Sequence, residues 1–129
     1  MNTAEKKLIL EFMGFIFIDY KGMTVCNGHK TAVNIGQYKD IFDRAIDFTG
    51  IKLEDIKTDF VKDWSVLMPV VEKIESLGSC QVEIIHNWCR IGYKDRTFDS
   101  RDIFRPSTKI DSVYKIIVYF IKWYNQQNQ

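Results

Sequence analysis

Two short segments of the sequence each pair a cysteine with a histidine three residues away. The first is Cys26-Asn27-Gly28-His29 and the second is His86-Asn87-Trp88-Cys89. Two thiolates and two imidazoles form a ligand set suited to tetrahedral Zn²⁺, which would staple a sheet if the two turns met. The alternative is that both cysteines are small buried strand residues and both histidines are exposed turn residues. We favour the alternative, because Cys-x-x-His pairs arise easily by chance.

Other residue types that support catalysis are present, but none of them forms an organised set. Cys26, Cys80 or Cys89 could pair with a histidine, yet no orienting motif surrounds any of these thiols. Glu72 and Glu75 share the polar side of a predicted helix, where solvated carboxylates belong, and no glycine-rich phosphate loop is present. The sequence therefore favours a function that is not enzymatic.

The segment from residue 90 to residue 109 interleaves basic side chains with aromatic ones. This composition is used by surfaces that bind single-stranded nucleic acid through phosphate contacts and base stacking. Three aspartates in the same segment cancel about half of the charge, which favours a polar hairpin with local ion pairs instead. The candidate nucleic-acid residues are Arg90, Lys94, Arg96, Arg101 and Arg105.

A stripe of Ile116, Tyr119 and Trp123 runs beside the broader apolar face of the predicted C-terminal helix. Such a stripe either packs inside the same chain or joins a partner. Because an exposed apolar patch tends to mark an interface, we consider a twofold-related second copy as the partner.

Two helices should form most of the scaffold. Apolar residues recur at helical spacing over 63–77 and over 109–125. Asp63 or Ser65 is a suitable N-cap for the first of them, and Gly78 is suited to its C-terminal end. Pro69 removes a backbone hydrogen bond, so it should lie in or near the first turn or mark a kink. Thr108 and Asp111 resemble a capping box for the second helix.

Strands are predicted between the helices. An N-terminal helix ending near Gly14 precedes a strand over 15–20, and Asn27-Gly28 predicts a hairpin turn between 23–26 and 29–33. A second hairpin is predicted near 82–98, and another helix over 38–46, whereas 51–62 remains undecided. This order predicts an α+β fold, with a small antiparallel sheet (hairpins near 15–35 and 82–98) and helices packed mainly on one of its faces.

Composition limits the class of protein. The chain has 129 residues, a formal net charge of +1, 46% hydrophobic residues and 14% aromatic residues. This length suits one domain, 1–129, and the charge gives no global attraction to nucleic acid or to an anionic membrane. The apolar run 8–18 is too short to span a bilayer, and three cysteines without a signal peptide fit reduced thiols. We therefore expect a cytoplasmic protein with no membrane contact.

Three segments, taken together, resemble a family of small uncharacterised proteins from Bacteroidetes genomes. They are Leu10 to Phe15, Trp64 to Leu77 and Val118 to Asn125. The resemblance covers about a quarter of the chain and brings no activity with it. It implies a context, because the family is often found near phage or mobile-element genes.

The sequence thus predicts a binding or assembly domain, with a phage-type or mobile-element accessory role as its concrete form. Its partner is expected to be another protein or a second copy of the chain. The alternative is a small nucleic-acid-binding domain or a domain stapled by zinc through Cys26, His29, His86 and Cys89.

Overall fold

The computed structural model describes residues 3–29, 52–56, 59–105 and 108–127. The chain divides into two compact units, Met1–Thr58 and Asp59–Gln129. The predicted helix over 38–46 and the predicted strand over 30–33 lie outside the described residues, and the single-domain organisation stays a prediction. Among the residues described, no helix is long and apolar enough to cross a membrane.

The first unit joins a helix to a two-stranded antiparallel sheet. Helix α1 spans Thr3–Phe12, strand β1 Phe15–Tyr20 and strand β2 Met23–His29, and a short 3-10 helix covers Leu53–Asp55. Among the described residues of this unit, Lys6 is a buried polar residue, and its Nζ donates a 2.7 Å hydrogen bond to the carbonyl oxygen of Ile56. The described residues of the unit include the buried apolar side chains Ile9, Leu10, Met13, Phe15, Cys26, Leu53 and Ile56.

The hairpin turn of the first unit differs from the predicted one. The chain reverses at Lys21-Gly22, where both residues have positive φ, and not at Asn27-Gly28. Asn27 and Gly28 instead lie inside β2, where the strand register shifts. These two residues together lie opposite the single residue Ile16 of β1. Because Gly28 has φ of 94°, this irregularity is a β-bulge that uses the backbone freedom of glycine. The Asn-Gly turn prediction was therefore wrong.

The second unit is a three-stranded meander with helices before and after it. Helix α2 spans Trp64–Glu75, strand β3 Cys80–Ile85, strand β4 Trp88–Tyr93, strand β5 Arg96–Asp99, helix α3 Ser100–Ile103 and helix α4 Lys109–Gln127. The strands pair antiparallel in the order β3-β4-β5. With the two-stranded sheet of the first unit, these elements confirm the predicted α+β fold.

Helix α2 begins where its capping residue indicates. The Oδ1 atom of Asp63 accepts hydrogen bonds from the backbone N–H of Ser65 at 2.9 Å and from the Ser65 hydroxyl at 2.6 Å. Pro69 is buried just beyond the first turn, in a helix that continues to Glu75. Its missing N–H costs one hydrogen bond, to the carbonyl of Ser65 near the helix start.

Helix α4 covers the inner face of the three-stranded sheet. The Thr108 half of the predicted capping box is present at its N-terminus, since the Thr108 hydroxyl accepts a 3.2 Å hydrogen bond from the backbone N–H of Asp111. Phe120 meets the rings of Tyr93 and Phe98 edge-on, with centroids 5.7 and 5.5 Å apart. The buried residues of α4 supply much of the core: Ser112, Val113, Tyr114, Ile116, Ile117, Val118, Phe120 and Ile121.

Candidate functional site

The outer face of the three-stranded sheet carries a tryptophan surrounded by charged side chains. Side chains alternate along a strand, so the buried Cys89 and Ile91 of β4 face α4, while Trp88 and Arg90 face outward. In the antiparallel register Arg90 lies between Glu83 of β3 and Asp99 of β5. The sheet therefore brings one aromatic and several charged residues together on one face.

A guanidinium lies directly against the ring of Trp88. The Cζ atom of Arg101 is 3.6 Å from the ring centroid, a close cation–π contact. Arg101 also donates to both carboxylate oxygens of Asp99, from Nε at 3.1 Å and from Nη2 at 2.7 Å. These hydrogen bonds from Arg101 hold the pKa of Asp99 below its usual value. The Arg101 side chain is therefore held in place before any ligand arrives.

A second guanidinium is held in the same way. Arg90 lies 5.8 Å from the ring centroid of Trp88 and donates from Nη2 to Oε2 of Glu83 at 2.6 Å. Both arginines beside Trp88 are thus paired with a carboxylate. Ile85, which pairs with Trp88 across the strands, is 38% exposed and extends the apolar part of this surface. We call Ile85, Trp88, Arg90, Arg101 and Arg105 the Trp88 surface.

A small cavity opens at the edge of the Trp88 surface. Its volume is about 160 Å³, and it is lined by Asn87, Trp88, Ser100, Arg101, Arg105 and Ser112. The Ser112 hydroxyl donates to the carbonyl oxygen of Asn87 at 2.6 Å, which joins α4 to the β3–β4 turn. The buried Ser100 hydroxyl accepts from the backbone N–H of Cys89 at 2.9 Å. Hydrogen bonds therefore fix two walls of the cavity.

The five predicted nucleic-acid residues do not form one patch. Arg90, Arg101 and Arg105 lie around Trp88, whereas Lys94 and Arg96 lie at the β4–β5 turn at the other end of the sheet. The six residues of β4 separate these ends by about 17 Å along the strand. Arg96 is stacked over Trp123 at 5.0 Å, and Lys94 over Tyr93 at 5.3 Å. The basic residues thus serve two separate aromatic clusters.

The predicted interaction stripe packs largely inside the second unit. Ile116 is fully buried, and Trp123 meets Phe98 with ring centroids 5.1 Å apart. Tyr119 remains 43% exposed and touches Phe98 and Phe104 at its ring edge. The stripe is therefore not a continuous exposed face, because α4 turns Ile116 toward the core.

The predicted zinc residues lie in different environments. Cys26 belongs to the first unit and Cys89 to the second, and both are buried, while His86 is exposed in the β3–β4 turn. The side chain of His29 lies outside the described residues. Within the described part of the chain, no three His, Cys, Asp or Glu side chains form a group that could hold a metal ion. The metal content of untagged protein tests the zinc prediction directly.

The environments of the three thiols do not activate them. Burial, with a smaller contribution from Asp99, raises the pKa of Cys89 to about 12. Burial, together with the charge of Glu75, raises the pKa of Cys80 to about 11. Burial also raises the pKa of Cys26, although a backbone hydrogen bond at Gly28 partly opposes this rise. All three thiols are thus protonated at neutral pH, whereas a nucleophile must be a thiolate.

The first unit offers a different kind of surface. Ile18 is 42%, Tyr20 55% and Met23 36% exposed, and all three lie at the turn end of the β1–β2 hairpin. A cavity of about 220 Å³ near the same turn is lined by Thr3, Gly22, Met23, Thr24, Lys52, Leu53 and Glu54. Charged groups accompany these apolar side chains, since the Nζ of Lys21 lies 5.2 Å from the ring centroid of Tyr20 and Asp19 accepts a 2.9 Å hydrogen bond from the Thr24 hydroxyl.

Sequence reasoning missed Trp88 and Ser100 as site residues. The sequence places Trp88 in a predicted turn, and it places Arg90 and Arg101 in a candidate nucleic-acid surface. The available signal was the alternation of side chains along β4 around the buried Cys89, since it puts Trp88 and Arg90 on the same face.

Comparison with models of known protein families, with curated proteins and with solved structures found no match.

Proposed function

We propose that the second unit is a protein-binding module that uses the Trp88 surface, and that it is not an enzyme. The observation that carries this proposal is the partly buried Trp88 ring, whose centroid lies 3.6 Å from the Cζ atom of the Arg101 guanidinium. Tryptophan and arginine are enriched among residues that dominate binding energy in protein interfaces. A side chain that is already held in place loses less entropy when a partner binds.

The charge balance of the surface supports a protein partner over nucleic acid. Glu83 and Asp99 pair with Arg90 and Arg101, so two of the three arginines add little net positive field. Arg101 also covers part of the Trp88 ring, which reduces the area available for stacking with a base. A neutralised, partly apolar surface of this kind suits the core and rim of a protein interface.

The resemblance of three segments to Bacteroidetes proteins suggests the biological setting of this binding module. We propose that it serves as an accessory protein of a phage or mobile element in the cytoplasm. The genes beside its coding sequence test this setting. Phage or mobile-element genes beside it in several genomes support the setting, and their absence from all of them contradicts it.

Affinity capture with matched variants tests the binding proposal. The full chain, Trp88→Ala and Trp64→Ala would be immobilised and exposed to a lysate of the native host. Trp64 is a suitable control, because it is 36% exposed in the same unit and its truncation removes the same ring elsewhere. We expect a protein retained by the wild type and by Trp64→Ala to fall at least about tenfold with Trp88→Ala, the loss typical of a hot-spot residue.

Two results would count against the proposal. One is a Trp88→Ala variant that is folded by circular dichroism and still retains every captured protein. The other is binding of a fluorescent single-stranded oligonucleotide at about 50 mM salt that is lost in Trp88→Ala, since nucleic-acid contacts are still strong at that salt concentration. Light scattering of the same samples shows whether the captured partner is a second copy of the chain.

A further inference from the structure

We propose that the 160 Å³ cavity beside Trp88 binds the carboxylate of an aspartate or glutamate side chain from the protein partner. This inference rests on the proposed function, because it names the chemistry by which the Trp88 surface recognises its partner. The cavity lies at the edge of that surface, where Arg101 and Arg105 both contribute to its wall.

The charge of the lining favours an anion. Two arginines line the cavity, and none of the described residues in its lining is acidic. Arg101 is already paired with Asp99 at 2.7 Å, whereas Arg105 forms no ion pair with any carboxylate in the described part of the chain. Arg105 is also exposed at the rim, where its side chain can reach an incoming group. One positive charge therefore remains available to a ligand.

The cavity also provides a neutral hydrogen-bond donor. The Ser100 oxygen accepts from the N–H of Cys89, so its own hydroxyl proton is left to donate. The Ser112 proton, by contrast, is used on the carbonyl of Asn87. Ser100 is 3% exposed, so its position is fixed by the surrounding side chains. A carboxylate in the cavity would thus meet a guanidinium and a hydroxyl.

Size and charge distinguish a carboxylate from a phosphate. A volume of 160 Å³ corresponds to about five water molecules, enough for a carboxylate and the methylene groups that carry it. The Trp88 ring supplies an apolar wall for those methylenes. A phosphate group carries about −1.5 to −2 charges at neutral pH, more than the single unpaired guanidinium of Arg105 balances. The planar guanidinium also matches a carboxylate in bidentate geometry.

Nuclear magnetic resonance titration of the full chain tests the inference. The probe is N-acetyl-glutamate N-methylamide, and the matched neutral probe is the N-acetyl-glutamine analogue. We expect the glutamate probe to shift the Trp88 indole N–H and the amide signals of Ser100 and Ser112, with a Kd of about 1–10 mM, as suits one small group. The glutamine probe should shift the same signals at least about fivefold less at equal concentration, because it lacks the charge.

Two variants locate the effect. Arg105→Gln should weaken binding of the glutamate probe at least about fivefold, because it removes the unpaired guanidinium. Arg96→Gln removes the same charge at the other end of the sheet and should leave binding unchanged. Arg105 is exposed, so the dispersed spectrum of its variant should show that the fold is kept.

Three outcomes would overturn the inference. They are the absence of shifts at the cavity, equal binding by Arg105→Gln and wild type, and tighter binding of inorganic phosphate than of the glutamate probe. None of these outcomes disturbs the proposed function, which depends on the loss of a captured protein in Trp88→Ala. If that capture result failed while the carboxylate bound, the cavity would be a small-molecule anion site instead.

Discussion

At the scale of residues, Asp99 connects the sheet to the site. Asp99 is 7% exposed. Its Oδ1 accepts a 2.9 Å hydrogen bond from the backbone N–H of Arg101, which caps helix α3. Its Oδ2 accepts a 2.7 Å hydrogen bond from the Arg101 guanidinium that covers Trp88. A single carboxylate thus sets both the start of a helix and the orientation of a surface side chain. Its charge should therefore be visible in the stability of the protein.

Replacing Asp99 by Asn tests the role of this charge. Asparagine keeps a cap acceptor, so the change removes mainly the charged hydrogen bonds to Arg101. Because Arg101 is half-exposed, we expect a loss of about 1 kcal/mol or less in the free energy of unfolding at pH 7. Urea denaturation measures this loss, and Asp95→Asn in the exposed β4–β5 turn serves as the control.

The sign of the pH dependence follows from the lowered pKa of Asp99. Its charge stabilises the folded state above the unfolded pKa, about 3.9, and this stabilisation is lost as the pH falls through the folded value. The difference between wild type and Asp99→Asn should therefore shrink as the pH falls below about 4. A difference that stays constant from pH 7 to pH 2 would rule out this account.

The thiols give a second prediction at this scale. Native protein treated with iodoacetamide at pH 7 should be alkylated at Cys26, Cys80 and Cys89 more slowly than free cysteine, because burial raises each pKa. Cys89 should react most slowly of the three, since it is completely buried. Mass spectrometry of peptides measures each rate, with urea-unfolded protein as the control. Rapid modification of native Cys89 would contradict the structure.

At the scale of elements, periodicity predicted helices well and the position of one turn poorly. Helices α2 and α4 follow their apolar repeats, because each must bury one face. The β1–β2 turn was misplaced because Asn27-Gly28 also suits a β-bulge, and only pairing with β1 selects between these outcomes. Lys21-Gly22 gave a weaker signal, since lysine seldom adopts positive φ.

This turn offers a test of the corrected hairpin. Lys21 has φ of 52°, a conformation that asparagine tolerates better. Lys21→Asn should therefore raise the free energy of unfolding by about 0.5–1 kcal/mol. Thermal unfolding measures the gain. Lys62→Asn is the control, because it makes the same change at an exposed turn residue outside the left-handed region. An equal effect at both positions would contradict the proposed turn.

At the scale of the whole molecule, the site could be predicted only in fragments. The sequence grouped Arg90, Arg101 and Arg105 with Lys94 and Arg96 in one basic segment, and the aspartates of that segment indicated partial neutralisation. It did not indicate that Trp88 joins them, because that depends on strand register and on where α3 begins after Asp99. Long-range contacts of this kind leave no local pattern in the sequence.

The division into two units predicts that residues 59–129 fold without the rest of the chain. This segment holds α2, the meander and α4, whose buried faces contact one another. We expect the fragment to give a dispersed NMR spectrum and a cooperative thermal transition, although a domain of this size is only marginally stable. Calorimetry of the full chain is the comparison. A collapsed spectrum of the fragment would show that it needs residues 1–58.

The meander order β3-β4-β5 affects how fast the second unit folds. Each strand pairs with its neighbour in sequence through a two-residue connection, and α4 follows soon after β5. Such local contacts give a low contact order, which is associated with folding in about milliseconds or faster. The residues around Trp88 come from positions 83–112, so their assembly needs no distant part of the chain. The surface should therefore form early, as soon as these strands and α4 associate.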